Sequence, residues 1–243
     1  MLHDFLLRIF STYLRNPIHT YKNNNDIIKL MSLNQRFYLI RYIFIKQLCL
    51  NSQQSEYAYT NKPYNWNKVH SMKFRYYQNI NDVSALGTCH ALVFYYCQNI
   101  RDVSALGKCH SLILDSCDNI RDVSALGTCH SLALYDCENI RDISALGTCH
   151  SLEMYFCKNI RDVSALGNCQ SLILNSCDNI RDVSALGKCH SLKLEYCENI
   201  TDISALGTCH SLQIYHCQNI RDVSALKDVP NIKITNCNNI TKK

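Results

Sequence analysis

The chain has 243 residues, 47% of them hydrophobic and 19% charged, with a formal net charge of +5. This length fits one elongated domain with a small companion, and no uncharged apolar run reaches the ~18 residues that a membrane span requires. Residues 1–68 carry nine Lys/Arg and three Asp/Glu, whereas residues 69–243 carry sixteen and seventeen, so the larger part lacks the clustered basic face of a nucleic-acid-binding protein.

Residues 1–48 read as three short helices. Phe5, Leu6, Ile9, Phe10, Tyr13 and Leu14 recur at helical spacing and so form one apolar stripe. It stops at Arg15-Asn16-Pro17. Asp26 is placed to cap a second helix carrying Ile27, Ile28, Leu30, Met31 and Leu33. A third apolar run, Phe37 to Ile45, is interrupted by Arg41 and reads as a buried helix. Asp4 and Arg8 sit within the first apolar run, unlike a secretory signal, so a reducing compartment, cytoplasm or nucleus, is expected.

This N-terminal arrangement resembles an F-box. Phe5-Leu6-Leu7-Arg8-Ile9-Phe10 with Tyr13-Leu14 matches the family's first helix, and Asp26 to Met31 with Asn34 to Phe37 matches the rest. The sequence departs from the family where Leu2 is followed by His3 rather than proline, and in its long loop from Arg15 to Asn25. The resemblance implies a small helical F-box-like segment over 1–48 that docks a Skp-type adaptor of a cullin–RING ubiquitin ligase through Leu6, Ile9, Phe10 and Leu14. On the residues alone, the same helices also read as a cap that shields a repeat stack. Residues 49–68 are polar, include Pro63, and read as a linker whose Trp66 could dock on the first unit of that stack.

From residue 69 to 243 the chain repeats every 20 residues. The column of Leu112 holds Met72, Leu92, Leu132, Leu152, Leu172, Leu192, Leu212 and Ile232, and the column two residues later is equally apolar. Such a period marks a solenoid, and Leu-x-Leu-x-x-Cys-x-x-Ile matches the core of a leucine-rich repeat. The spacing predicts about nine repeats in an α+β solenoid with a parallel β-sheet on the concave face. Leu112, Leu114, Ile120, Val123 and Leu126 point inward, and Ser111, Ile113 and Asp115 point to the concave surface. Asp122 to Leu126 is too short for a regular helix and its turns, so a 3₁₀ turn capped by Asp122 is expected, ended by Gly127 at positive φ.

Sixteen cysteines are present, and fifteen fall in two columns of the repeat, represented by Cys117 and Cys129. Duplication accounts for both, and they read as structural free thiols. The column of His110 and His130 lacks the short ligand spacing of zinc sites and reads as a surface ladder. Asn119 and its copies are expected to bridge turn backbones, and Arg121 and its copies to pair with acids such as Asp118. Nothing points to catalysis or to a cofactor: Ser111 and Ser124 recur without a positioned base, and no phosphate-binding glycine loop appears.

Variation between copies concentrates on the concave strand and its exit. Tyr95, Tyr96, Ile113, Asp115, Tyr135, Glu153, Tyr155, Phe156, Lys193, Glu195, Tyr196 and Tyr215 form a tyrosine-rich surface with both charges, the composition of a protein-binding face. The repeat, with its two cysteines, resembles those of F-box leucine-rich-repeat proteins. Its Asp-Val-Ser-Ala-Leu turn is similar to internalin-type repeats, and such near-identical tandem copies are similar to giant-virus repeat families. The resemblance implies a non-catalytic substrate receptor of the ligase, cytoplasmic, or in the host cytoplasm if viral. The residues alone are equally met by a plain binding scaffold with a helical cap. The sequence ends at Ile240-Thr241-Lys242-Lys243, shortly after a strand and with no evident polar cap, so fraying, self-association or truncation is expected there.

Overall fold

A computed structural model describes residues 48–50 and 69–241. The expected helical segment, with Leu6, Ile9, Phe10 and Leu14, lies outside the described residues except for its last position. Leu48–Leu50, at the junction of that segment and the expected linker, forms strand β1. Nine further strands follow: β2 (Val69–Arg75), β3 (Ala91–Tyr95), β4 (Ser111–Asp115), β5 (Ser131–Tyr135), β6 (Ser151–Tyr155), β7 (Ser171–Asn175), β8 (Ser191–Glu195), β9 (Ser211–Tyr215) and β10 (Asn231–Thr235). All ten lie in one sheet in chain order. From β2 onward each strand pairs in parallel with its neighbour at an offset of one repeat, Leu112 on Leu132 and Leu114 on Leu134. The parallel repeat solenoid expected from the period is the observed architecture.

Between strands the chain returns through 3₁₀ turns such as Ser104–Lys108 and Ser124–Thr128, and among the described residues every helical turn is of this type. Twenty residues leave no room for more. Asp122 caps its turn as expected: its Oδ1 accepts from the Ser124 backbone N–H at 2.8 Å. That bond, with a second from the Ser124 hydroxyl, lowers the Asp122 carboxyl pKa.

The core is built from seven columns. Leu112, Leu114, Cys117, Ile120, Val123, Leu126 and Cys129 are all buried to within 1%. No single repeat could cover these side chains, and each buries them on the copies before and after it. Both thiol columns point into this interior as free cysteines. Each is a small, weak donor to a carbonyl of the preceding repeat: Cys137 Sγ donates to the strand carbonyl Leu114 O at 3.5 Å and Cys149 Sγ to the turn carbonyl Leu126 O at 3.5 Å. In the first repeat Tyr77 replaces the cysteine and packs on Phe74, ring centroids 6.1 Å apart. At β10, which has a neighbour on one side only, Ile232 is 41% exposed.

Side-chain ladders tie the turns together. Asn119 Nδ2 donates to Gln98 O at 2.6 Å, Asn139 to Asp118 O and Asn159 to Glu138 O, each reaching back one repeat as expected. The histidines stack in the open, His110 on His130 and His130 on His150 at 4.4 Å between centroids. Local desolvation within the stack, followed by the charges of these two neighbours, lowers the His130 pKa.

Two expectations fail. No described glycine has positive φ. Gly127 lies inside the 3₁₀ turn, and a Cβ there would collide with the Ala145 carbonyl oxygen of the next repeat. The glycine column serves close approach of stacked turns, not chain reversal. The arginine column, Arg121 and its copies, is exposed and makes no ion pair among the described residues; Asp118 instead accepts from Gln98 Nε2 of the preceding repeat at 3.0 Å.

Gly127→Ala is expected to lower the unfolding free energy by about 1–3 kcal/mol, the range for an overpacked interior, read as a lower urea midpoint; an unchanged midpoint would show that the turns can move apart. Desolvation by burial pushes the Cys89, Cys109 and Cys149 thiols from 9.0 to about 12. An acid with a raised folded pKa contributes stability that is fully present below the unfolded value and lost as pH rises toward the folded one. Stability should therefore hold up to pH 9 and fall between 9 and 12, with native-state alkylation at pH 8 slower than in urea.

Candidate functional site

The candidate face is built by alternation along each strand. In β4, Leu112 and Leu114 are buried while Ser111, Ile113 and Asp115 are half-exposed on the opposite side, the two-residue period of a strand. The structure places Tyr95, Ile113, Asp115, Tyr135, Glu153, Tyr155, Lys193, Glu195 and Tyr215 together on this solvent face, each in register with the equivalent position next door.

Tyr96, Phe156 and Tyr196 belong to the residue after the strand, and this position has a conformation that periodicity did not reveal. In all nine repeats it takes positive φ, between 48° and 56°, and in none is it glycine. Continued alternation would send residue 96 inward, after Phe94, and Cys97 outward. One left-handed residue inverts the phase: Cys97 is buried and Tyr96 is thrown outward, while the Tyr96 N–H still donates to Asp115 O at 2.9 Å. Left-handed backbone costs about 1–2 kcal/mol for a residue with a Cβ and is mildest for Asn, Asp or Gly. The column contains Ser116, Asp136, Ser176 and Asn236, as that cost favours, but also Tyr76, Tyr96, Phe156 and Tyr196, which are 58%, 42%, 48% and 42% exposed.

The rings form three groups along the face. Tyr76 stacks on Tyr96 at 4.9 Å, Tyr135 on Tyr155 at 4.6 Å, and Tyr196 on His216 at 5.0 Å with Tyr215 edge-on at 5.3 Å. Polar bonds fix one of these rings and cross-link the strands beside the others. The Tyr135 hydroxyl donates to Glu153 Oε2 at 3.4 Å, and burial together with the Glu153 carboxylate pushes the Tyr135 phenol up to about 12. Asn175 Nδ2 donates to Glu195 Oε2 at 2.7 Å, and Lys193 pairs with Glu195 at 2.8 Å. This is a pre-ordered amphipathic surface. Tyr76 and His216 belong to it although composition alone did not single them out; the signal was the small polar set in their column, which marks a left-handed position.

Among the described residues, no three metal-ligating side chains converge and no helix is long and apolar enough to cross a membrane. No protein-family model matches the chain, and a search of curated proteins found no match. Solved structures are similar in fold. An internalin (InlF) from Listeria monocytogenes is 24% identical over 73% of this chain and 60% of its own, with a TM-score of 0.50. Internalin C2 from the same organism is 21% identical over 70% of this chain and 82% of its own, TM-score 0.49. The leucine-rich-repeat domain of a type III effector (XopL) is 15% identical over 96% and 87%, TM-score 0.48. The chain thus spans three-fifths of that first internalin, and its fold is a leucine-rich-repeat solenoid.

Phe156→Asn removes an exposed ring from a left-handed position and is expected to raise the unfolding free energy by about 1 kcal/mol. Urea denaturation reads this directly; a fall would show that the ring packs in the folded state.

Proposed function

We propose that the protein is a non-catalytic recognition scaffold that holds a protein partner on the solvent face of its sheet. One observation carries this reading: four large aromatic rings are kept exposed at backbone positions that disfavour them. Folding does not require them there, since Ser116 and Asn236 make the same turn. Exposed, pre-ordered aromatic side chains are what hot spots of protein interfaces are made of. The mixed acids and Lys193 around them supply polar complementarity.

The finer reading rests on the F-box resemblance of residues 1–48. In it, Leu6, Ile9, Phe10 and Leu14 bury in a Skp-type adaptor, and the tyrosine-lined face presents its partner to a cullin–RING ubiquitin ligase. The fifteen free thiols among the described residues suit a reducing compartment such as the cytoplasm. A scaffold without ubiquitin chemistry uses the same face and differs only at the N-terminus.

Two comparisons test these readings on the full chain. Tyr135→Ala/Tyr155→Ala/Phe156→Ala should abolish stoichiometric capture of a protein retained by the wild type, with the urea midpoint preserved; capture indifferent to these rings would move the binding site elsewhere. Ile9→Asp/Phe10→Asp should abolish co-purification with a eukaryotic Skp-type adaptor. Absence of adaptor binding by the folded wild type would remove the ligase role and leave the scaffold.

A further inference from the structure

We propose that the face of β3–β5 contains a slot for an arginine side chain of the partner, with its guanidinium on Asp115 between the rings of Tyr95 and Tyr135. The inference deepens the recognition reading and rests on it. In-register pairing sets Tyr95, Asp115 and Tyr135 side by side on three successive strands, and sets Val93, Ile113 and Ala133 side by side two residues earlier. The two tyrosines are thus two strand spacings apart, roughly 9–10 Å, with a short acidic residue between them. One planar group fits in that gap, and the apolar row below receives its methylene stem.

The acid is prepared for a cation. Asp115 accepts from the Ser116 hydroxyl at 2.8 Å, which fixes the carboxylate, and among the described residues no Lys or Arg pairs with it. Ser116 is itself 5% exposed, so this brace is rigid. Tyr135 is supported from behind by its stack with Tyr155. From β3 through β6 the strands and their exits carry Asp115, Asp136 and Glu153 and no basic residue. One wall of the slot already receives a cation on this face: the Lys73 ammonium, from β2, lies 4.7 Å from the centroid of the Tyr95 ring. Where the face has its own lysine, Lys193, an acid neutralises it. Asp115 is the acid of this stretch that the strand register sets between two tyrosines, where it can meet an incoming positive charge.

Arginine suits the slot better than lysine. A guanidinium is planar, stacks on aromatic faces and can give a carboxylate two parallel N–H bonds, whereas an ammonium is a compact, strongly hydrated point charge.

The test is an NMR titration of the full chain with N-acetyl-arginine methylamide. Saturable shifts centred on Asp115 and Tyr135 are expected, with a Kd on the order of millimolar for so small a probe. The citrulline analogue, equal in shape and uncharged, should bind at least about tenfold more weakly, as should the arginine probe to Asp115→Asn. Tyr135→Leu should erase the preference over the lysine analogue while the urea midpoint stays put. Equal binding of the citrulline analogue, shifts centred elsewhere, or indifference to Asp115→Asn in a folded variant would each overturn the slot. A captured partner that needs Tyr155 and Phe156 but ignores Asp115→Asn would likewise remove the slot while leaving the recognition reading. An arginine-selective slot on a face that retains no partner would support the slot and remove the reading on which its partner rests.

Discussion

Every column of this molecule obeys one constraint, the in-register parallel stacking of each residue on its own copy 20 positions away. A side chain at any position meets its like, so each column must consist of residues that tolerate or profit from their own company. Leucine and isoleucine do so by packing, asparagine by reaching back to a carbonyl, and cysteine by being small, apolar and a weak donor. Histidine does so by stacking. The aspartate column survives repetition because it is exposed and each carboxylate is engaged by its own turn. Glycine is required for the same reason: only a residue without Cβ lets one turn rest on the next.

The left-handed residue at the strand exit joins this framework to the candidate site. It converts an odd step in the sequence, from Leu114 to Cys117, into two inward-facing side chains, and in doing so turns the intervening side chain outward. The framework therefore creates a position per repeat that cannot contribute to the core. Small polar residues fill it at least cost, and aromatic ones fill it in four repeats. Stability and surface chemistry compete at that single backbone geometry, and the competition is resolved repeat by repeat.

The strands, their register and six of the apolar columns were legible because a 20-residue period with Leu-x-Leu-x-x-Cys-x-x-Ile leaves one way to bury them. The capped 3₁₀ turn was legible from Asp122 and the shortness of the return. The left-handed exit was not read, although its parity was in view: Leu112, Leu114 and Cys117 cannot all face inward on one uninterrupted strand. Gly127 misled because glycine near a turn end commonly signals positive φ, whereas here its use is an approach between repeats, which local sequence does not encode. Arg121 misled because nearness in sequence does not bring it to Asp118, whose carboxylate meets the Gln98 side chain of the preceding repeat instead. Of the candidate site, the membership of the sheet face was legible from alternation, and its aromatic stacking followed only once neighbouring strands were aligned.

The near-identity of the repeats has a consequence for how the chain finds its register. A strand displaced by one whole unit would meet almost the same leucines, thiols and turns as in its proper place, since the residues that distinguish one copy from another lie on the solvent face and do not direct packing. Looping out a single unit would leave the remainder with a nearly complete core. Correct registration is then favoured by sequential assembly, each unit settling on the one just formed, and the rings and charges follow one another along the face in the order of the repeats in the chain.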